Sequence, residues 1–198
     1  MLLYDSGHSG NCYKVRLLFA QLGIEYERRE LSVIDRSNRP DVLGGMNPAL
    51  RVPTLVFDDG RTLGESNAIT WYFADGTEYL PGDPFERAQV LQWMFFEQYD
   101  HEPNIAVARF WNIAGIDPDP EQLAARRAGG EKALTAIEGF LAEGHEFLVG
   151  ERYSIADISL YAYTHVAPEG GFELEPYPAI REWLGRVAAQ PGHVPITA

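Results

Sequence analysis

A single cysteine, Cys12, occurs in 198 residues, which excludes an internal disulfide framework and any multi-cysteine metal centre. Basic side chains are also scarce: 16 Lys and Arg stand against 29 Asp and Glu, a formal net charge of -13. That balance repels a phosphate backbone and an acidic lipid surface alike, so neither nucleic acid nor membrane is an expected partner. No apolar stretch approaches the roughly 20 residues needed to cross a bilayer. The opening Met1-Leu2-Leu3-Tyr4-Asp5 lacks the basic segment and apolar run of a secretory signal. These absences point to a cytoplasmic, reducing compartment. The five histidines, His8, His101, His145, His165 and His193, show no metal-ligand spacing, and no metal is expected. A Gly-rich phosphate loop, a Gly-x-Ser-x-Gly elbow, internal repeats and low-complexity tracts are all missing.

What is present suffices for a packed core: 45% of residues are hydrophobic and 12% aromatic. Leu2-Leu3-Tyr4 reads as a short strand closed by Asp5-Ser6-Gly7. From Asn11 to Leu22, Val15, Leu18, Phe19 and Leu22 recur at helical spacing, and Gly23 supplies a stop. Glu25 to Leu31 reads as a second strand, parallel to the first across a βαβ unit. A short helix over Arg39 to Met46 follows, weakened by Gly44-Gly45. A strand at Thr54 to Phe57, a turn at Asp58-Asp59-Gly60 and a return strand to Gly64 form a hairpin. The next helix places Ile69, Tyr72 and Phe73 on its apolar face. The order β-α-β-α-β-β-α describes a thioredoxin-like domain over residues 1–76, followed by a Gly/Pro/Asp-rich linker at 77–84.

Everything from 85 to 198 reads as helical, so the fold class is α/β followed by an all-helical domain. Phe85 to Trp111 is long and apolar-periodic, but Pro103 should kink or split it. Glu121 to Glu143 forms a second long helix with a local weakness at Gly129-Gly130. Ser154-Ile155-Ala156-Asp157 is a capping box that uses Asp in place of Glu. Pro178 to Ala188 is a last amphipathic helix.

Ser9-Gly10-Asn11-Cys12-Tyr13-Lys14-Val15-Arg16, Asn47-Pro48 with Val52-Pro53-Thr54-Leu55, Glu65-Ser66-Asn67-Ala68-Ile69 and Ser154-Ile155-Ala156-Asp157 follow one another at family-specific spacing. Together they resemble the cytosolic glutathione S-transferase family, in its serine-type bacterial theta-, zeta- and nu-like branches, over nearly the whole chain. The resemblance implies a co-substrate, glutathione, and a homodimer with the linker-proximal helices at its interface. It places the γ-glutamyl carboxylate on Ser66 with Glu65 alongside, at a helix N-terminus that favours anions on physical grounds too. It pairs the cysteinyl part with the backbone of Val52, turned outward by a cis Pro53. It assigns the glycyl carboxylate to Arg51, which can grip it bidentately, and to Asn38. Ser9 aligns with the serine whose hydroxyl donates to the glutathione sulfur and favours the thiolate.

The resemblance also sets the second, hydrophobic and electrophilic substrate between Ser9 and the helical domain, with His8, Tyr13, Arg109, Phe110 and Trp111 as candidate lining. Asp100 is a candidate for reaching a partner's glutathione amine. Asn11 falls where disulfide-reducing relatives place a second donor to the sulfur. Cys12 reads as a packed, inert thiol or as an attacking residue at a helix start. The leading reading is a transferase that directs the glutathione thiolate at an electrophilic small molecule. Two alternatives stay open: a glutathione-dependent disulfide reductase, and a non-catalytic binding module.

Overall fold

The computed structural model describes residues 1–198, which form two compact units, Met1–Thr77 with Pro191–Ala198, and Glu78–Gln190. The final eight residues therefore pack with the first unit and not, as the sequence suggested, with the helices.

In the first unit, β1 (Leu2–Asp5), α1 (Gly10–Leu22), β2 (Glu27–Glu30), α2 (Arg39–Leu43), β3 (Thr54–Val56), β4 (Thr62–Gly64) and α3 (Ser66–Ala74) follow the expected order. The sheet order is β2-β1-β3-β4. The pair β1–β2 is parallel with Leu3 opposite Arg28, while β1–β3 and β3–β4 are antiparallel. The fold is thioredoxin-like. Alternation along β1 sends Leu3 to one face, with Val15, Phe19, Leu55 and Ile69, and Tyr4 to the other, with Cys12, Leu31, Leu43 and Val52. The edge strand β2 is Glu27-Arg28-Arg29-Glu30, all exposed, and its charges discourage pairing with another sheet. On α3, Ile69 is buried and Phe73 packs on the core, but Tyr72 is about half exposed, at 51%. That corrects its expected place on the apolar face.

Two arginines fasten the chain end to this unit. Arg16 donates to the Ile196 carbonyl at 2.6 Å and Arg28 to the Ala198 carbonyl at 2.8 Å. The Tyr13 hydroxyl donates to the Val194 carbonyl at 2.7 Å.

The second unit contains α4 (Pro84–Phe96), α5 (Glu102–Ala114), α6 (Pro120–Ala142), α7 (Ile155–Thr164) and α8 (Pro178–Ala188). Between α4 and α5 the chain does not break at Pro103. It widens into a π-helical turn, Glu97–His101, in which the Glu102 amide returns to the Glu97 carbonyl. One extra residue in the turn absorbs the missing proline N–H without ending the helix. The glycine pair in α6 is likewise no weakness, since the helix runs through it. A Cβ at Gly130 would lie 2.3 Å from Phe172 Cε1, and one at Gly129 would lie 2.5 Å from Asn104 Oδ1. The two glycines are where neighbouring segments approach α6.

The capping box at the start of α7 is formed. The buried Asp157 carboxylate accepts from the Ser154 amide (2.9 Å) and hydroxyl (3.1 Å), the Leu148 amide (3.1 Å) and Trp183 Nε1 on α8 (3.0 Å). Burial raises its pKa to about 6, against the opposing pull of those four donors. The native state thus holds the proton more tightly than the unfolded chain, so this group adds stability at low pH that is lost as pH rises through about 6. We expect Asp157→Asn to destabilise the protein by about 1–3 kcal/mol at pH 7.5, and by about 1 kcal/mol more at pH 5. Denaturant melts of both proteins at the two pH values check the size and the sign.

Candidate functional site

Ser9 ends the loop after β1 in extended conformation and caps α1, its Oγ accepting from the Cys12 amide at 3.3 Å. Accepting that bond occupies a lone pair and leaves the hydroxyl proton to be donated elsewhere. The loop itself is fixed by buried charge. Asp5 accepts from the Ser6 amide at 2.7 Å and pairs with Arg16 at 2.6 Å and Arg28 at 2.5 Å. Arg16 also donates to the carbonyls of Ser6 and Gly7, so the segment leading to Ser9 is held from beneath.

Asn11 lies on the first turn of α1, and Ser66 opens α3. The two meet: the Ser66 hydroxyl donates to Asn11 Oδ1 at 3.2 Å. Lys14, fully buried, reaches the same oxygen at 2.9 Å, Asn67 Oδ1 at 3.4 Å and Ser66 Oγ at 3.5 Å. Two helix N-termini, each with a positive partial charge, are therefore cross-linked by side chains. Sequence reasoning missed Lys14. Its signal was its i+3 spacing from Asn11, which puts both on one helix face.

Glu65 precedes Ser66 with φ 63° and ψ 117°, a conformation that non-glycine residues rarely adopt. The Val52–Pro53 peptide is cis, and the Val52 side chain packs beside Cys12 and Tyr4. The turn before it is shaped by Asn47, whose Nδ2 donates to the Arg51 carbonyl at 3.2 Å and to Thr54 Oγ1 at 2.9 Å. A Cβ on Gly64 would come within 2.9 Å of that nitrogen. Arg51 and Asn38 are both exposed, and Asn38 makes no side-chain cap to α2. Arg39 is the buried arginine here, donating to the carbonyls of Leu50 (3.1 Å) and Ser32 (2.8 Å). It was not anticipated from sequence.

Cys12 is fully buried, and desolvation together with the Asp5 charge pushes its thiol well above the ordinary range despite its place at a helix start. Both effects favour the packed, inert reading. Two candidate lining residues are committed elsewhere. Tyr13 is fully buried with its hydroxyl on Val194, and Arg109 is buried and paired with Glu169 at 2.7 Å. His8 is exposed on the first unit; Phe110 and Trp111 are half-buried on the second.

Residues 8–75 match the family model of the glutathione S-transferase N-terminal domain, and residues 99–191 match that of the glutathione S-transferase C-terminal domain. The chain belongs to the glutathione S-transferase family. It is 46% identical to a crystal structure of a glutathione S-transferase from Pseudomonas fluorescens, with a TM-score of 0.95 over 100% of this chain and 98% of that one. A glutathione S-transferase 2 from Anopheles gambiae is 31% identical over 93% of this chain and 88% of its own length. The disulfide-bond oxidoreductase YfcG of Escherichia coli is 26% identical over 91% of this chain and 87% of its own. No helix is long and apolar enough to cross a membrane.

Glu65 tests whether its backbone is held for binding. Glycine adopts φ 63° without strain, so Glu65→Gly should leave the unfolding free energy unchanged or raise it by up to about 1 kcal/mol. The same substitution should raise the KM for glutathione several-fold. Melts and steady-state kinetics on one preparation check both.

Proposed function

We propose that the first unit binds glutathione and that Ser9 stabilises its thiolate for attack on an electrophilic small molecule. The observation that carries this reading is the direct contact between the starts of α1 and α3 through Asn11 and Ser66. A short peptide with a carboxylate at one end and a nucleophilic sulfur further along needs two anion-favouring positions a few ångströms apart, and paired helix N-termini supply them. Ser66 takes the γ-glutamyl carboxylate with Glu65 beside it. Val52, before the cis Pro53, offers its backbone to the cysteinyl part, and Arg51 reaches the glycyl carboxylate, with Asn38 a secondary candidate.

A free thiol has a pKa of about 8.5, so each unit of lowering multiplies the thiolate fraction near neutrality about tenfold. The Ser9 hydroxyl and the α1 amides both act in that direction. His8 is the first unit's candidate for touching the second substrate. A cytoplasmic location belongs to the same reading, because a reducing compartment keeps the co-substrate in its thiol form. Asn11 supports a second reading. Its place beside Ser66, with the similarity to a disulfide-bond oxidoreductase, favours a thiolate that attacks sulfur in place of carbon.

A homodimer is part of the proposal. Leu91, Phe95 and Tyr99 follow at four-residue intervals along α4 and its π turn with 37%, 60% and 81% of their surface exposed, a patch suited to a second copy. Replacing Phe95 and Tyr99 together with Asp should yield a monomer in sedimentation experiments.

Turnover with glutathione and either a chloronitrobenzene or hydroxyethyl disulfide separates the readings. We expect Ser9→Ala to lower conjugation by about ten- to hundredfold, the equivalent of one or two pKa units of lost thiolate. Disulfide reduction that survives Ser9→Ala and falls in Asn11→Ala would transfer the protein to the reductase side.

A further inference from the structure

We propose that Lys14 is a positioning residue that locks the Asn11 carboxamide with its oxygen inward, so that Asn11 can present only N–H donors to the glutathione sulfur. The inference rests on the glutathione reading above and concerns a residue with no contact to the reacting atoms.

An ammonium donates and never accepts. With Lys14 Nζ 2.9 Å from the Asn11 side chain, the carboxamide atom facing it must be the oxygen. The Ser66 hydroxyl donates to that same oxygen from α3, at 3.2 Å. Both neighbours therefore select one of the two amide orientations, and the –NH2 group is fixed on the side away from the ammonium. Without Lys14, Ser66 could accept as readily as donate, since a hydroxyl does either, and the carboxamide could turn its oxygen toward an anion it ought to attract.

Burial strengthens the effect. Lys14 is fully buried, and in a low-dielectric setting a positive charge on the amide oxygen polarises the group and makes its N–H a better donor. Asn67 Oδ1, 3.4 Å from Nζ, belongs to α3, so the ammonium sits between the two helix starts. One cation thus serves two parts of the proposed ligand. It orients the donor near the sulfur, and it adds positive charge beneath Ser66.

The test titrates the thiolate absorbance of bound glutathione in wild type, Lys14→Met, Lys14→Gln, Lys14→Arg, Asn11→Ala and the Lys14→Met/Asn11→Ala double variant, with thermal midpoints recorded for each. Lys14→Met should raise the bound-thiol pKa by about one unit, a roughly tenfold loss of thiolate at pH 6.5, and lower kcat more than it raises KM. Lys14→Gln, which can accept as well as donate, should behave like Lys14→Met, and Lys14→Arg should restore most of the wild-type titration. In the Asn11→Ala background, Lys14→Met should add no further shift. An unchanged thiol pKa in the folded variants would overturn the proposal, as would an equal shift with and without Asn11. Should the Lys14 variants not fold, wild type alone decides: the Asn11 side-chain amide resonances must move when glutathione is added, and stationary resonances overturn the proposal. A wild type that binds no glutathione would instead overturn the glutathione reading itself, and this inference with it.

Discussion

The buried pair between Asp5 and Arg16 is the constraint on which the arrangement of the first unit depends. Both side chains are almost wholly removed from water, and removing either partner of such a pair typically costs about 3–5 kcal/mol because the other is left charged and unpaired. Asp5 ends the central strand, and Arg16 lies on the inner face of α1. Their contact sets the distance between the two elements that flank the Ser6–Ser9 loop. The two terminal nitrogens of Arg16 also donate to the Ser6, Gly7 and Ile196 carbonyls, so loop, helix and chain end share one anchor. Guanidinium geometry suits this task, since a single rigid fork can satisfy a carboxylate and several carbonyls together.

With that loop immobile, α1 begins at a defined point, and α3 begins beside it. On the proposed reading, the chemistry of the site follows from that juxtaposition more than from any one reactive side chain. Helix N-termini offer amides and a partial positive charge without desolvating a full charge at the surface. Lys14 supplies a full charge behind them, where it need not be exposed to act. The strain held at Glu65 belongs to the same design, because Ser66 can only lead its helix toward Asn11 if the chain turns sharply just before it.

Much of this was readable in the residues. The periodicity of Val15, Leu18, Phe19 and Leu22 located α1, and Ser9 marked its start within a residue. The hairpin turn fixed β3 against β4, and the Asp157 box marked α7. Most of the misreadings have a common physical cause, in that they depended on a neighbour distant in sequence. Gly129 and Gly130 look like helix breakers until Asn104 and Phe172 occupy the space a Cβ would need. Pro103 is the local exception: the expected kink or split takes the form of a widened turn just before it. Tyr13 reads as accessible at the start of a helix, yet the chain end, some 180 residues later, covers it. Lys14 drew no reading of its own from the sequence, and its burial is visible only once α3 packs against it.

Cys12 and Ser9 show how finely position governs reactivity here. They share one turn of α1 and the same helix dipole, which by itself would favour a thiolate at Cys12. The dipole loses because Cys12 points into the core beside Tyr4, Leu43 and Val52, where desolvation and the negative charge of Asp5 both oppose ionisation. Ser9, three residues earlier, caps the helix and keeps a donor to give. Burial and the Asp5 charge thus disfavour ionisation of the protein's own thiol one turn from Ser9. On the proposed reading this separation is functional, because a reactive Cys12 would compete with the bound thiol for the same electrophile and would form a mixed disulfide with it under oxidation.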